Sequence, residues 1–408
     1  MAAATLTQQG SVHMPSSLLH PMAAPIHAAT LVALCARAVL TPQTAAQLKQ
    51  AVARFEDWAA LPALAERHGL GPLVYTHLRA VGAEIPAPTE LTLKGLCLRH
   101  QRAAQIYDQV LGEILQTFYT AGIDVLVLKG SALAHLLYPQ PGLRPRRDLD
   151  LLVRPEAALH AYALLGTLGF VLAPTPYQDV SRYHQHLAPA TRTVQDYSVM
   201  VDLHTDLFFR FKPYHLPSAT YSQLSTTAQP FTVNGLPAST LSPAAMLWHL
   251  YHHGFSMHLR GDTQGRLLGV ADIVTLVEKW LDHIDWEHFQ RCYPQTFHAL
   301  PMFHYLTPWS DAVLERLQWR VGPTPGGVGE VYAGYPTQLA GEHLRRGLRR
   351  SCRETFWPSE WWVRLHYGLP ATTPTLVGRA RHAVYVLWDL GIYATSLLGP
   401  LKLHPYPR

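Results

Sequence analysis

The sequence predicts an α+β fold in which a small mixed β-sheet core is flanked by helical regions on both sides. From about residue 28 to residue 120, apolar residues recur at three- and four-residue spacing, which is typical of amphipathic helices. After Gly122 the pattern changes to short β-rich runs separated by glycine and proline, which are typical of strands joined by turns. Past Ser242-Pro243 the helical spacing returns.

These changes divide the 408 residues into four parts. We expect a disordered tail over residues 1–27, an N-terminal helical region over 28–120, an α/β core over 121–215 and a C-terminal helical region over 216–408. The clearest predicted helices outside the core are Ala45–Ala53, Trp58–His68, Leu91–Phe118, Ala244–His253, Leu267–Trp280 and Glu342–Thr355.

Composition narrows the environment and the partners of the protein. The formal net charge is +5 and the pI is about 9.0, which favours anionic partners such as nucleotides only weakly. The four cysteines are spread along the chain without a C-x-x-C pair, so we expect free thiols and a cytoplasmic protein. The apolar stretch 384–401 contains Asp389 and two glycines, so we expect a buried terminal helix rather than a membrane span.

The core alternates strands and helices. Ile123–Leu128 predicts a buried strand that follows a glycine, and a short helix follows it over Ala132–Tyr138. Asp148–Val153 predicts a second strand, and Pro155 suits the first turn of the helix that continues to Leu168. Tyr197–Leu203 predicts a further strand.

Two aspartates occur at alternate positions of the second predicted strand. Because side chains alternate between the faces of a strand, Asp148 and Asp150 project to the same side. Two adjacent carboxylates repel each other unless a cation lies between them, and a hard divalent ion with oxygen ligands meets that need. The pair therefore predicts a Mg²⁺ or Mn²⁺ site. A solvated pair at a strand start is the structural alternative.

The turn between the first strand and its helix indicates a phosphate-binding loop. Lys129-Gly130-Ser131 lies at a helix N-terminus, where backbone N–H groups lack partners, and glycine allows a close approach. Lys129 would add a cation or extend to solvent. Arg144 could contact a phosphate or pair with an aspartate as a brace. Arg146 and Arg147 are expected to face solvent.

A third carboxylate is expected on a neighbouring strand. Asp202, in Val201-Asp-Leu-His204, is the first candidate, because strand alternation puts it on one face with His204. Asp206 is the second candidate. Three such carboxylates would hold two ions roughly 3.5–4 Å apart, and Asp202 could equally act as a general base.

These motifs resemble those of the uncharacterised nucleotidyltransferase family, within the polymerase-β-type superfamily. The resemblance also extends to the AbiEii-type toxin nucleotidyltransferases and covers most of the chain from about residue 28 to residue 370. It is carried by Leu128-Lys-Gly-Ser-Ala-Leu133, Tyr138-Pro139 and Arg144-Pro-Arg-Arg-Asp-Leu-Asp-Leu-Leu-Val153, with flanking matches at Asp57-Trp58, Ala65–Gly69, His249, His253, Leu267–Asp272, Trp357 and Arg364–Gly368.

The resemblance implies transfer of a nucleoside monophosphate from an NTP to an acceptor hydroxyl, with release of pyrophosphate. Gly130 and Ser131 would hold the phosphates, Asp148 and Asp150 the metal, and Asp202 would be the third carboxylate. The family often has glutamate at this third position, so the shorter Asp202 departs from its pattern. The acceptor could be a small molecule, a protein or an RNA. The alternatives are a toxin-like enzyme acting on tRNA and a non-catalytic nucleotide- or RNA-binding protein.

Two further clusters have an ordinary structural explanation. His249 and His253 share a helix face, but packing is expected more than metal binding, and Asp272 could pair with one of the histidines. Arginines 345, 346, 349, 350 and 353 form a basic stripe, which is either a solvated face or a contact surface for an RNA.

Overall fold

A computed structural model describes residues 26–173, 185–208, 216–256, 266–322 and 346–398. The expected tail therefore lies outside the described residues, apart from residues 26 and 27. Five helices precede the sheet, in agreement with the apolar spacing, and the last is a single helix of 34 residues. They are α1 (Ala28–Leu34), α2 (Pro42–Val52), α3 (Leu61–Arg67), α4 (Gly71–Ala80) and α5 (Ala87–Thr120).

The core is a four-stranded mixed sheet with the order β1-β2-β4-β3. Its strands are β1 (Val125–Val127), β2 (Asp148–Val153), β3 (Ala190–Val194) and β4 (Tyr197–His204). The two central strands, β2 and β4, run parallel, and the outer strands pair with them in antiparallel fashion. In the parallel pair Asp150 lies opposite Asp202. The sequence predicted β1, β2 and β4, whereas β3 is an addition that the structure makes.

Helices cover the sheet on its apolar side. Helices α6 (Lys129–Leu136) and α7 (Ala158–Thr167) follow β1 and β2, and the second half of α5 packs on the same core. In that half, Ile106, Val110 and Ile114 recur at four-residue spacing and are almost fully buried. The packing of this long helix fixes the sheet against the N-terminal region.

A β-hairpin follows the core, within the stretch that the sequence predicted as helical. A short helix α8 (Tyr221–Leu224) leads into β5 (Gln229–Val233) and β6 (Leu236–Thr240). The turn is Asn234-Gly235, where both residues have positive φ, and this dipeptide is a strong hairpin signal in a sequence. The hairpin lies beside β1 and α6 and extends the core.

The helices after the hairpin share one hydrophobic core with the helices at the N-terminus. Leu31 and Leu73 belong to the same buried cluster as Val274, Phe303 and Trp309. The two predicted helical regions therefore pack together around the sheet domain. These later helices are α9 (Pro243–Tyr251), which continues as a π-helical turn over His252–Ser256, α10 (Leu267–Lys279), α11 (Trp286–Cys292), α12 (Pro294–Ala299), α13 (Asp311–Arg316), α14 (Leu348–Phe356), α15 (Glu360–Tyr367) and α16 (Thr375–Leu398).

The last helix corrects one expectation. Helix α16 forms where the apolar stretch predicted a helix, but Val384, Leu387 and Trp388 are 68%, 62% and 42% exposed. The expectation of a buried terminal helix is therefore wrong for this face. Over the described ranges, no helix is both long enough and apolar enough to cross a membrane.

Arg37 connects the N-terminal helices to the C-terminal helical region. Its side chain is fully buried and donates to Thr307 Oγ1 at 3.2 Å, to Pro308 O at 2.5 Å and to Thr44 Oγ1 at 3.3 Å. Glu278 on α10 lies 3.5 Å away and balances the charge. A buried guanidinium is tolerated only when its donors and its charge are satisfied in this way.

We expect Arg37→Met to lower the free energy of unfolding by about 3 kcal/mol, because it leaves buried acceptors and a half-buried carboxylate without their partner. Urea denaturation measures this. Arg79→Met is the matched control, since Arg79 pairs with Glu90 at 3.2 Å but is 59% exposed. Its loss should change stability by less than about 1 kcal/mol. Equal effects of the two substitutions would contradict the role given to Arg37.

Candidate active site

Three carboxylates converge on one face of the sheet, on its two central strands. Asp148 and Asp150 project from the same side of β2, and Asp202 projects from the paired position of β4. Each offers one oxygen, and the three oxygens lie within 4.8 Å of one another. The intervening Leu149 and Leu151 are fully buried on the opposite face, so the alternation of the strand dictates the direction of the aspartates.

Asp206, the second candidate for the third carboxylate, lies elsewhere. It accepts hydrogen bonds from the hydroxyl of Ser218 at 2.5 Å and from the backbone N–H of Ala219 at 3.0 Å. Asp206 therefore holds Ser218 and Ala219 close to the end of β4. Its carboxylate is not part of the group formed by the other three.

Asp150 is the most tightly held of the three. Lys129 Nζ lies 2.6 Å from Asp150 Oδ1, and His204 Nε2 donates to the same oxygen at 2.9 Å. Lys129 also has a positive φ of 42°, which is uncommon for a residue with a side chain. The turn into α6 thus directs the ammonium group to the carboxylates instead of solvent.

The electrostatics of the site follow from this arrangement. The charge of Asp150, and then burial, raise the pKa of Asp148 to about 7. Burial and the same neighbouring charge raise the pKa of Asp202. For Asp150 burial acts in the same direction, but the Lys129 ammonium and the His204 hydrogen bond outweigh it and hold its pKa well below the usual range. The cluster therefore has more negative charge than its own cations balance.

Gly130 and Ser131 lie at the N-terminus of α6, beside the carboxylates. Ser131 is 1% exposed, and within the part of the chain that the structure describes its Oγ has no hydrogen-bond partner. One oxygen of Asp202, Oδ1, is likewise buried without a partner there. Buried polar atoms are normally satisfied, so unpaired ones beside a helix N-terminus indicate a place for a polar ligand.

Residues 55–298 match a family that is described as uncharacterised nucleotidyltransferase. This stretch is more than half of the 408 residues. The chain belongs to the uncharacterised nucleotidyltransferase family. The family resemblance seen in the sequence is thus confirmed, and the protein is a nucleotidyltransferase.

Other comparisons add only weak likenesses. No curated protein matches the chain. The solution structure of the antibiotic-resistance factor ANT(2'')-Ia is 13% identical over 50% of this chain and 98% of that one, with a TM-score of 0.33. Its crystal structure with adenylyl-2''-tobramycin is 12% identical over 46% and 98%, with a TM-score of 0.32. An antigenic nucleotidyltransferase-like protein from Paracoccidioides brasiliensis is 14% identical over 51% and 96%, with a TM-score of 0.30.

Arg144 pairs with an aspartate, which is one of the two roles expected for it, whereas Arg146 of this nucleotidyltransferase lies where the sequence did not place it. Arg144 pairs with Asp272 of α10, with Nη2 2.6 Å from Oδ2, so its aspartate partner is neither Asp148 nor Asp150. Arg146, expected in solvent, is buried and pairs with Asp108 at 2.7 Å because it packs under α5. Arg147 is exposed, as expected.

The expected partner of Asp272 is also corrected. It accepts from Arg144 and from the Tyr138 hydroxyl at 2.7 Å, and among the described residues it is bonded to no histidine. The sequence contained a signal for this pairing, since an aspartate inside the apolar run of α10 needs a buried partner. The sequence could not say which cation would supply it.

The histidine cluster and the basic stripe stay outside the carboxylate group. His249 is buried and contacts His253 edge to face, and no group of three ligand atoms within the described ranges includes either. Arg346 and Arg350 both pair with Glu354, so the stripe is partly neutralised. Position 345 lies outside the described residues.

We expect Ser131→Ala to leave the free energy of unfolding unchanged or to raise it by up to about 1 kcal/mol, since it removes a buried hydroxyl without a partner. Ser359→Ala is the control, because Ser359 caps α15 by accepting from the Trp362 N–H at 3.2 Å. That loss should cost about 1 kcal/mol. If both variants lose stability equally, the Ser131 hydroxyl has a structural partner.

Proposed function

We propose that the protein transfers a nucleoside monophosphate from an NTP to an acceptor hydroxyl at the Asp148–Asp150–Asp202 cluster, with a divalent cation. The observation that carries this proposal is the convergence of three carboxylate oxygens within 4.8 Å, beside a helix N-terminus with an unpaired buried hydroxyl. Neither feature stabilises the fold. Both fit a site that binds a metal and phosphates.

The chemistry of the donor set fits Mg²⁺ or Mn²⁺. The ligands are hard carboxylate oxygens, and the raised pKa of Asp148 reflects a repulsion that a bound cation relieves. Asp148, Asp150 and Asp202 would hold the ion. When bound, it supplies positive charge to the triphosphate and to the leaving pyrophosphate.

The residues around the cluster have distinct tasks in this proposal. The Gly130 and Ser131 N–H groups and the Ser131 hydroxyl bind phosphate oxygens at the N-terminus of α6. Lys129 lies 2.6 Å from Asp150 and adds a positive charge near the phosphates. His204, kept neutral by burial that lowers its pKa, donates to Asp150 and orients it.

The proposed reaction forms one bond to phosphorus and breaks one, and a residue of the cluster accepts the proton. The acceptor oxygen forms a bond to the α-phosphorus of the NTP, and the bond from that phosphorus to its bridging oxygen breaks. Pyrophosphate leaves with the bridging oxygen. Asp202, whose pKa burial raises, takes the hydroxyl proton. Positioning and charge neutralisation carry most of such a reaction.

A cleft beside the carboxylates provides room for the acceptor. Asp148 and Asp150 line one wall together with Gly130. Glu66 and His100 of the N-terminal helices, and Phe255 and Leu268 of the C-terminal region, line other parts of the cleft. Both helical regions thus contribute to the acceptor side, which accounts for their presence in the match over residues 55–298.

We expect Asp148→Asn to reduce nucleotide transfer at least a thousandfold, about 4 kcal/mol of transition-state stabilisation, while the protein stays folded. The measurement uses purified protein, each α-labelled NTP, Mg²⁺ or Mn²⁺ and a cell extract. Label that appears in protein, in RNA or in small molecules identifies the acceptor class.

Asp124→Asn is the matched control for this variant. Asp124 directly precedes β1, at the opposite end of that strand from Lys129. It is exposed, and its carboxylate lies 3.6 Å from Arg154. Its loss should therefore leave transfer unchanged. Near-normal transfer by Asp148→Asn would refute the proposal. Nucleotide binding without any transfer by the wild type would instead favour a non-catalytic role.

We expect Mg²⁺ to raise the melting temperature of the wild type in the absence of nucleotide, because the ion binds the folded carboxylate cluster. At a Mg²⁺ concentration a hundredfold above the dissociation constant, the free energy of unfolding rises by about 2.7 kcal/mol. Differential scanning fluorimetry with and without EDTA measures it, with Asp124→Asn as the control that keeps the gain. A similar gain in Asp148→Asn would show that the ion binds elsewhere.

A further inference from the structure

A buried carboxylate on α10 holds the arginine that precedes β2. Asp272 is 1% exposed and accepts from Arg144 Nε at 2.9 Å and from Nη2 at 2.6 Å. The Tyr138 hydroxyl donates to the same carboxylate at 2.7 Å. The guanidinium is planar, so two hydrogen bonds to one carboxylate fix its orientation as well as its position.

The third nitrogen of this guanidinium reaches the phosphate loop. A Cβ atom added to Gly130 would overlap Arg144 Nη1, so the absence of a side chain at Gly130 is what admits the guanidinium. Nη1 makes one long contact of its own, to Pro145 O at 3.4 Å. Arg144, Gly130 and Asp272 all line the cleft that contains Asp148 and Asp150.

We propose that Asp272 and Tyr138 are positioning residues, which hold the Nη1 group of Arg144 against Gly130 so that it binds the triphosphate of the NTP. This inference rests on the proposed function. Because the pair of Arg144 and Asp272 is neutral as a whole, Arg144 contributes directed N–H groups to the phosphates more than net charge. Because its orientation is already fixed, Arg144 loses less conformational entropy on binding the phosphates than a mobile arginine would.

The rival explanation is that the pair only fastens α10 to the sheet domain. A second ion pair on the same helix separates the two explanations. Glu278 of α10 pairs with buried Arg37, away from the cleft, and also accepts from the Ser310 N–H at 3.2 Å. Loss of this pair loosens α10 without touching the phosphate loop.

The test titrates the full-length protein with inorganic tripolyphosphate and with each NTP, in Mg²⁺, by calorimetry. We expect Asp272→Asn and Arg144→Lys to raise the dissociation constant for tripolyphosphate and for the NTPs at least tenfold, and by similar factors, because the contact is to phosphate and not to the base. Tyr138→Phe should raise it severalfold. Glu278→Gln should lower the melting temperature and leave both dissociation constants unchanged.

Gly130→Ala provides a second route to the same defect. The added methyl group has to displace Arg144 from its place between Gly130 and Asp272. We therefore expect Gly130→Ala to weaken tripolyphosphate binding, and the double variant with Asp272→Asn to bind no more weakly than the poorer single variant. Additive losses would mean that the two residues act separately, which overturns the inference.

The inference and the proposed function fail in different ways. If Asp272→Asn and Tyr138→Phe lose stability but bind tripolyphosphate as tightly as the wild type, the pair is only a brace and the inference is overturned. Tyr138→Phe, the milder change, decides if Asp272→Asn does not fold. A wild type that binds tripolyphosphate through Arg144 but transfers no label refutes the proposed function alone. A wild type that binds no tripolyphosphate overturns the inference.

Discussion

The parallel pairing of β2 with β4 is the interaction on which the rest of the site depends. It lines up Asp150 with Asp202 and leaves Asp148 two residues away on the same side. Carboxylates at this separation repel one another, and that repulsion raises the pKa of Asp148 to about 7. A sheet with this register forms only if the surrounding packing compensates for this repulsion, and Leu149 and Leu151, which are fully buried on the opposite face, provide that packing.

The elements around the sheet supply the cationic and hydrogen-bonding groups that offset the repulsion between the carboxylates, and they also form the walls of the cleft. Lys129 is the first residue of α6 and His204 is the last residue of β4. Each contacts Asp150 directly. Helix α10 makes two ion pairs. Asp272, in its middle, pairs with Arg144 of the sheet domain, and Glu278, near its end, pairs with Arg37. The N-terminal and C-terminal helices share one core, so this helix has a fixed position relative to the strands.

Several features around the carboxylate cluster reduce the stability of the fold. The Ser131 hydroxyl and one oxygen of Asp202 are buried without a partner in the described ranges, and Lys129 adopts a backbone conformation that side chains disfavour. Other buried polar groups, such as the Arg37 guanidinium and the Trp309 indole, have partners, although Thr240 and Thr296 also have an unpaired Oγ1 in the described ranges. Unpaired polar atoms beside a carboxylate cluster fit a functional site, because a ligand can satisfy what the protein leaves unpaired.

The sequence by itself determined the features whose cause is local. Alternation along a strand was enough to pair Asp148 with Asp150, and spacing was enough to predict most helices. The hairpin at Asn234-Gly235 could also have been predicted, since its turn signal is local, although it lies within the range 216–408 that was predicted to be helical. Only the tertiary structure decided which distant groups meet: Arg144 with Asp272, Arg146 with Asp108, and Asp202 in preference to Asp206. Arg144 and Asp272 are 128 residues apart and Arg146 and Asp108 are 38 apart, and several cations could have satisfied each of these two carboxylates. The three-dimensional packing of α5 and α10 against the sheet selects one of them.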